Sequence, residues 1–137
     1  MITLCMIPVM PPATLLDCLK SQGELRLSPV GDSMLPSIRE GRDSLVIRRR
    51  DIVRPGDIIL TGGADCCYVH RVMDINQNLL ILMDDAKVDE VLTCTAQEVL
   101  GTVVAIMRGK RRLHPGSGSF LRVMLPLRRL IGKIANH

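Results

Sequence analysis

A chain of 137 residues that is 47% apolar suits one domain with a core of useful size. The apolar content is aliphatic, with one Phe, one Tyr and no Trp, which argues against gripping single-stranded nucleic acid by base stacking. The net charge of +4 divides unevenly: residues 1–107 hold ten Lys or Arg against fourteen Asp or Glu, whereas residues 108–137 hold eight Lys or Arg and no acid. A mildly acidic body therefore carries a basic tail, which suits an anionic partner.

The opening MITLCMIPVMPP is apolar, broken by prolines and without a basic leader, so no secretory signal is expected. Residues 11–22, PPATLLDCLKSQ, predict a helix. Pro12 suits its first turn, Leu15, Leu16 and Leu19 form a stripe, and Gly23 stops it. ELRLSPV alternates like a short strand, and GDSMLPSIREG reads as a turn with a brief helical piece. DSLVIRRR predicts a strand, VRPGD a turn and IIL a further strand. CYVHRVMDI alternates, with Tyr68, His70 and Val72 on one face and Val69, Arg71 and Met73 on the other. A break at NQN leads into the apolar strand LLILM, then the polar loop DDAKVDE, then a strand over residues 96–107. Many short strands behind one helix predict a mostly-β domain with a coiled, open or barrel-like sheet over residues 1–114.

Residues 115–137 read as a PGSGS linker and a basic tail. In the tail Phe120, Val123, Leu127, Leu130 and Ile134 share a helical face opposite Arg122, Arg129 and Lys133, although Pro126 interrupts the pattern. A C-terminal amphipathic helix of this kind suits a membrane interface or a partner, with Arg122, Arg128, Arg129 and Lys133 as the contact residues. No apolar run reaches the length of a bilayer crossing. Five cysteines cannot all pair within one chain, and a reducing, cytoplasmic compartment fits them best.

Ser33, in GDSMLP, reads either as a helix cap or as a nucleophile at a helix start, where unpaired N–H groups could hold an oxyanion. A nucleophilic serine needs a base. Of the three histidines, His70 lies inside a predicted strand, where it is either structural or that base. Cys66, Cys67 and His70 lack the spacing of a zinc site. Asp84, Asp85, Asp89 and Glu90 lack a calcium-loop pattern, and the Arg48–Arg50 run reads as a solvated strand end. Neither a metal nor a cofactor is expected.

Three ordered boxes resemble the superfamily of type I signal peptidases and LexA-type self-cleaving repressors. They are Gly31-Asp32-Ser33-Met34-Leu35-Pro36, Gly56-Asp57-Ile58 and His70-Arg71-Val72, and the resemblance covers roughly residues 24–107. It implies a signal-peptidase/LexA-like sheet, Ser33 as nucleophile and His70 as general base, in the place where most bacterial members carry Lys. It also implies an Asp that orients the histidine. Asp85 is the best match, with Asp84 and Asp89 as alternatives. Gly31, Asp32, Met34 and Pro36 fall in the oxyanion and substrate-binding box, with backbone donors alone for the oxyanion. The chain departs from the pattern at Gly41-Arg42-Asp43, which has an extra residue, and at Asp84-Asp85, which lacks the usual glycine. Neither the anchor of signal peptidases nor the helix-turn-helix of the repressors precedes the boxes.

Two readings follow. In one, the chain is a serine endopeptidase that cleaves an extended peptide or leader with a Ser–His pair, held at the inner membrane face by its tail. In the other, it is a catalytically silent peptide- or partner-binding module of the same fold. Nucleic acid is not expected as a partner; a regulator binding DNA through residues 115–137 is the third reading, and it predicts salt-sensitive binding.

Overall fold

The structure, a computed structural model, describes residues 3–8, 10–87 and 89–116. Helix α1 spans Pro12–Gln22. Pro12 has no N–H to leave unpaired in the first turn, and Gly23 ends the helix in the left-handed region at φ +80°, its N–H donating to the Leu19 carbonyl. Leu15 and Leu19, one turn apart, are the helix's buried residues. They rest on the sheet at Gly101, where even a methyl group would press on Leu19 and Ile47.

The strands are β1 (Met6–Ile7), β2 (Leu25–Leu27), β3 (Asp43–Arg48), β4 (Ile58–Gly62), β5 (Cys67–Asn76), β6 (Leu79–Met83), β7 (Leu92–Thr95), β8 (Val99–Arg108) and β9 (Arg111–Leu113). They form one sheet in the order β2-β3-β8-β4-β5-β6-β7, with β1 added to β5 and β9 to β8. Every strand pairing is antiparallel. The mostly-β expectation therefore holds. Register shifts at Val46/Ile47, Leu60/Thr61 and Val72/Asp74 add local twist to the sheet.

The sheet buries side chains on both faces. One cluster gathers Leu15 and Leu19 of α1 with Leu45, Ile58, Leu60 and Val69. The other gathers Ile59, Val72, Leu80, Leu82 and Cys94. This is why β4 reads as an unbroken apolar run, since Ile58 and Leu60 point one way and Ile59 the other.

Three strands were absent from the sequence reading. β1 lies in the proline-broken opening, β7 follows the acidic loop, and β9 is the charged triplet RRL. A 3-10 turn at Ala96–Glu98 delays the long strand, which begins at Val99 rather than residue 96. The segment after Ser33 is shorter than a helix: one turn, closed by Ile38 N–H on the Met34 carbonyl at 3.0 Å. Pro115, expected to open the linker, is fastened to the body because its carbonyl accepts from Arg71 Nη1 at 3.0 Å. The tail helix and its contacts Arg122, Arg128, Arg129 and Lys133 lie outside the described residues. Among the described residues no helix is long and apolar enough to cross a membrane.

Strand β5 organises the site. Its first half, Cys67–Arg71, pairs with β4 along one edge. Along the other edge β1 faces Cys67 and Tyr68, and β6 begins its pairing where Met83 meets Arg71. The two therefore follow one another on the same edge, and the gap between them falls at His70.

Candidate functional site

His70 and Arg71 are neighbours in β5, so their side chains leave opposite faces of the sheet. Both are buried, at 6% and 1% exposure. A buried base and a buried guanidinium each need a partner. Two consecutive acids supply them where the chain leaves β6. Asp84 Oδ1 lies 2.6 Å from His70 Nδ1. Asp85 grips Arg71 with both oxygens, from Nε at 2.8 Å and from Nη2 at 2.9 Å. Arg71 Nη1 also donates to the Gly56 carbonyl at 2.7 Å, so the guanidinium ties β5 to the Gly-Asp turn. Asp57 completes that tie, its carbonyl accepting from Val72 N–H at 2.8 Å.

The expectation that Asp85 orients the histidine is therefore corrected. Asp85 belongs to Arg71, and the alternative Asp84 belongs to His70. The alternation of β5 forces this split, because one face presents an imidazole and the other a guanidinium. Asp89, the remaining alternative, lies five residues beyond Asp84 in the loop. Among the described residues no donor reaches the buried Asp84 Oδ2.

Ser33 is completely buried. Its Oγ accepts from Cys5 N–H at 2.8 Å and makes no hydrogen bond to His70. Cys5 links the two halves of the site, since its carbonyl accepts from Val69 N–H, beside His70, at 3.0 Å. The Ser33 carbonyl in turn accepts from Ala86 N–H at 2.8 Å, two residues past Asp84. Serine box, base strand and acid loop thus meet through short backbone bonds.

The expected oxyanion donors are engaged. The N–H groups of Asp32 and Ser33 both donate to the Thr3 carbonyl, at 3.1 and 2.9 Å. Asp32 Oδ1 accepts from Thr3 N–H at 2.7 Å and from its hydroxyl at 3.1 Å. The Thr3 backbone N–H foremost, helped by its hydroxyl, holds the Asp32 carboxyl below its ordinary range against the opposing effect of burial. Gly31 sits at φ +93°, and a Cβ there would stand 2.2 Å from the Leu4 carbonyl oxygen, so glycine is required by both conformation and space. Met34 is wholly buried in the core cluster that holds α1, and Pro36 is exposed, its carbonyl accepting from Arg42. These two residues shape the turn.

Sequence reasoning missed Thr3 and Cys5, which hold Ser33 from about thirty positions away along the chain with no local signal. Burial, then the charges of Asp84, Asp85 and Glu40, pushes the Cys5 thiol up to about 12, so it stays protonated and is no rival nucleophile. Asp43 was also missed as a structural hub. It accepts from Arg108 and Arg42 at 2.8 and 2.9 Å and from Arg39 N–H at 2.9 Å. Among the described residues no cluster of His, Cys, Asp or Glu could hold a metal ion. Two open clefts, of about 660 and 450 Å³, are lined by Arg49, Arg50 and their neighbours and contain neither Ser33 nor His70.

Comparison with protein-family models, with curated proteins and with solved structures finds no match to this chain.

Proposed function

We propose that this chain is a serine endopeptidase of the signal-peptidase/LexA type that cleaves an extended peptide. The observation that carries the reading is the buried His70–Asp84 pair, at 2.6 Å, tied by short backbone bonds to a serine in a GDSMLP turn. In this reading Ser33 Oγ attacks the peptide carbonyl while His70 Nε2 takes its proton. The Asp32 and Ser33 N–H groups then hold the oxyanion. His70 passes the proton to the leaving amine, and water, deprotonated by His70, releases the acyl group from Ser33. Asp84 holds the Nδ1–H, which fixes the tautomer and supports the imidazolium. The basic charge of residues 108–137 suits peripheral contact with an anionic membrane face, where leader peptides emerge.

The test is mass spectrometry of a diverse peptide pool incubated with the parent protein and its variants. The parent gives defined products, whereas Ser33→Ala and His70→Ala, both still folded, give none. Cleavage retained in either variant overturns the assignment.

A second reading, a silent peptide-binding module, is favoured by one observation: Ser33 Oγ is buried and bonded to Cys5 rather than to His70. Apo geometry is a weak guide to catalytic contacts, which tighten on binding. Absence of products from every form, in folded protein with anionic vesicles present, supports this reading.

A further inference from the structure

The groove beside Ser33 is filled by the chain itself. Segment Thr3–Ile7, whose last two residues are β1, runs between two flanks. On one flank Met6 and Val30 exchange both backbone bonds at 2.9 Å, and the Thr3 carbonyl takes the Asp32 and Ser33 N–H groups. On the other, Met6 faces Tyr68, Ile7 faces Cys67, and the Cys5 carbonyl accepts from Val69. The segment thereby consumes both N–H groups aimed at an oxyanion, and Cys5 N–H occupies the Ser33 hydroxyl.

We infer that Thr3–Ile7 is an internal occupant of a peptide-binding slot between residues 30–33 and 67–69, and that an extended peptide must replace it to reach Ser33. Its catalytic consequence rests on the peptidase reading, but the slot does not. Three features argue for exchange. Apart from the Thr3 hydroxyl the segment bonds through its own backbone, so another extended chain lying antiparallel to β5 can form the same ladder, provided its side chains refill the core places of Cys5 and Ile7. The ordered pairing with β5 is two residues long, and Pro8 and Pro11 interrupt the connection to α1. A short strand on such a connection can open ahead of global unfolding, although opening also lifts the buried Cys5 and Ile7 from the core.

The test uses the full chain with Met6→Pro, which deletes the Met6 N–H bond to Val30 inside a strand flanked on both sides. Fluorophosphonate labelling of Ser33 rises at least about tenfold, and exchange protection of the Asp32, Ser33 and Val69 amides falls at least about tenfold. Protection along the β3–β8 ladder stays as in the parent. A synthetic peptide of residues 3–7 with a dilysine tail, added in trans, restores the lost protection. Thr3→Pro removes the outer N–H and hydroxyl bonds to Asp32, shifts the same amides by less, and serves if Met6→Pro unfolds. Unchanged protection of Asp32, Ser33 and Val69 in folded Met6→Pro overturns the inference, as does failure of the peptide to restore it. If protection behaves as expected but Ser33 is never labelled, the slot stands and the peptidase reading falls.

Discussion

Exchanging the charge of either Asp84 or Asp85 separates two roles that adjacent identical residues conceal. Asp85 neutralises Arg71 through two bonds of 2.8 and 2.9 Å, and both side chains are 1% exposed. Asp85→Asn keeps the shape but withdraws the carboxylate that grips the buried guanidinium through two bonds, while the bonds to the Gly56 and Pro115 carbonyls remain. Breaking a buried pair from one side costs about 3–5 kcal/mol. For a chain of this size that lowers Tm by about 10–20 °C. Asp84→Asn removes a single bond to His70, and among the described residues the other oxygen of Asp84 has no donor to lose. Its cost is about 1 kcal/mol, a few degrees. On the peptidase reading Asp84→Asn nevertheless lowers turnover by about 10³–10⁴, since His70 loses the acceptor that fixes its tautomer. Calorimetry and the peptide assay, run on both variants, read the two effects. A Tm for Asp85→Asn within about 3 °C of the parent, or a larger loss in Asp84→Asn, refutes the assignment of the two acids.

Asp43 gives a pH signature. Burial opposes its charge, but the Arg108 and Arg42 bonds and the Arg39 N–H outweigh it and hold the carboxyl at about 2, against an ordinary 3.8. A lowered carboxyl stabilises the fold above its unfolded value and loses that contribution as pH falls through its folded one. Urea unfolding should therefore show about 2 kcal/mol, present at neutral pH, vanishing between about pH 5 and pH 2 and absent from the profile of Asp43→Asn. A profile in Asp43→Asn as steep as the parent's counts against the hub. The cysteines give a second check. Burial, with nearby negative groups adding, pushes the Cys5, Cys67 and Cys94 thiols up to about 12, 11 and 11, whereas Cys18 and Cys66 are half-buried. Iodoacetamide at neutral pH should modify Cys18 and Cys66 first in native protein, Cys5 more slowly as its segment opens, and Cys67 and Cys94 last, as read by peptide mapping; equal labelling of Cys5 and Cys66 contradicts the seating of the Thr3–Ile7 segment.

Local chemistry was enough to read much of this chain. Pro12, the leucine stripe and Gly23 bound α1 because a helix start tolerates a missing N–H and a helix stop wants a left-handed residue. Alternation in CYVHRVMDI put His70 opposite Arg71, and the structure keeps that separation. The three boxes drew attention to Ser33 and His70 before any contact was visible. What the sequence left open was pairing between distant segments. The match of Asp84 to His70 and Asp85 to Arg71 depends on β6 leaving β5 opposite Arg71, after a register shift at Val72/Asp74. A shift of one residue would exchange the faces, and nothing local to the acidic loop records it. Segment Thr3–Ile7 reads as an apolar, proline-broken opening: Cys5 and Ile7 enter the core, but the backbone bonds that set the segment beside Ser33 leave no local signal. Side-chain periodicity is a local property and is written in the chain, whereas strand register and backbone docking are collective and were decided only when the sheet closed around Ser33.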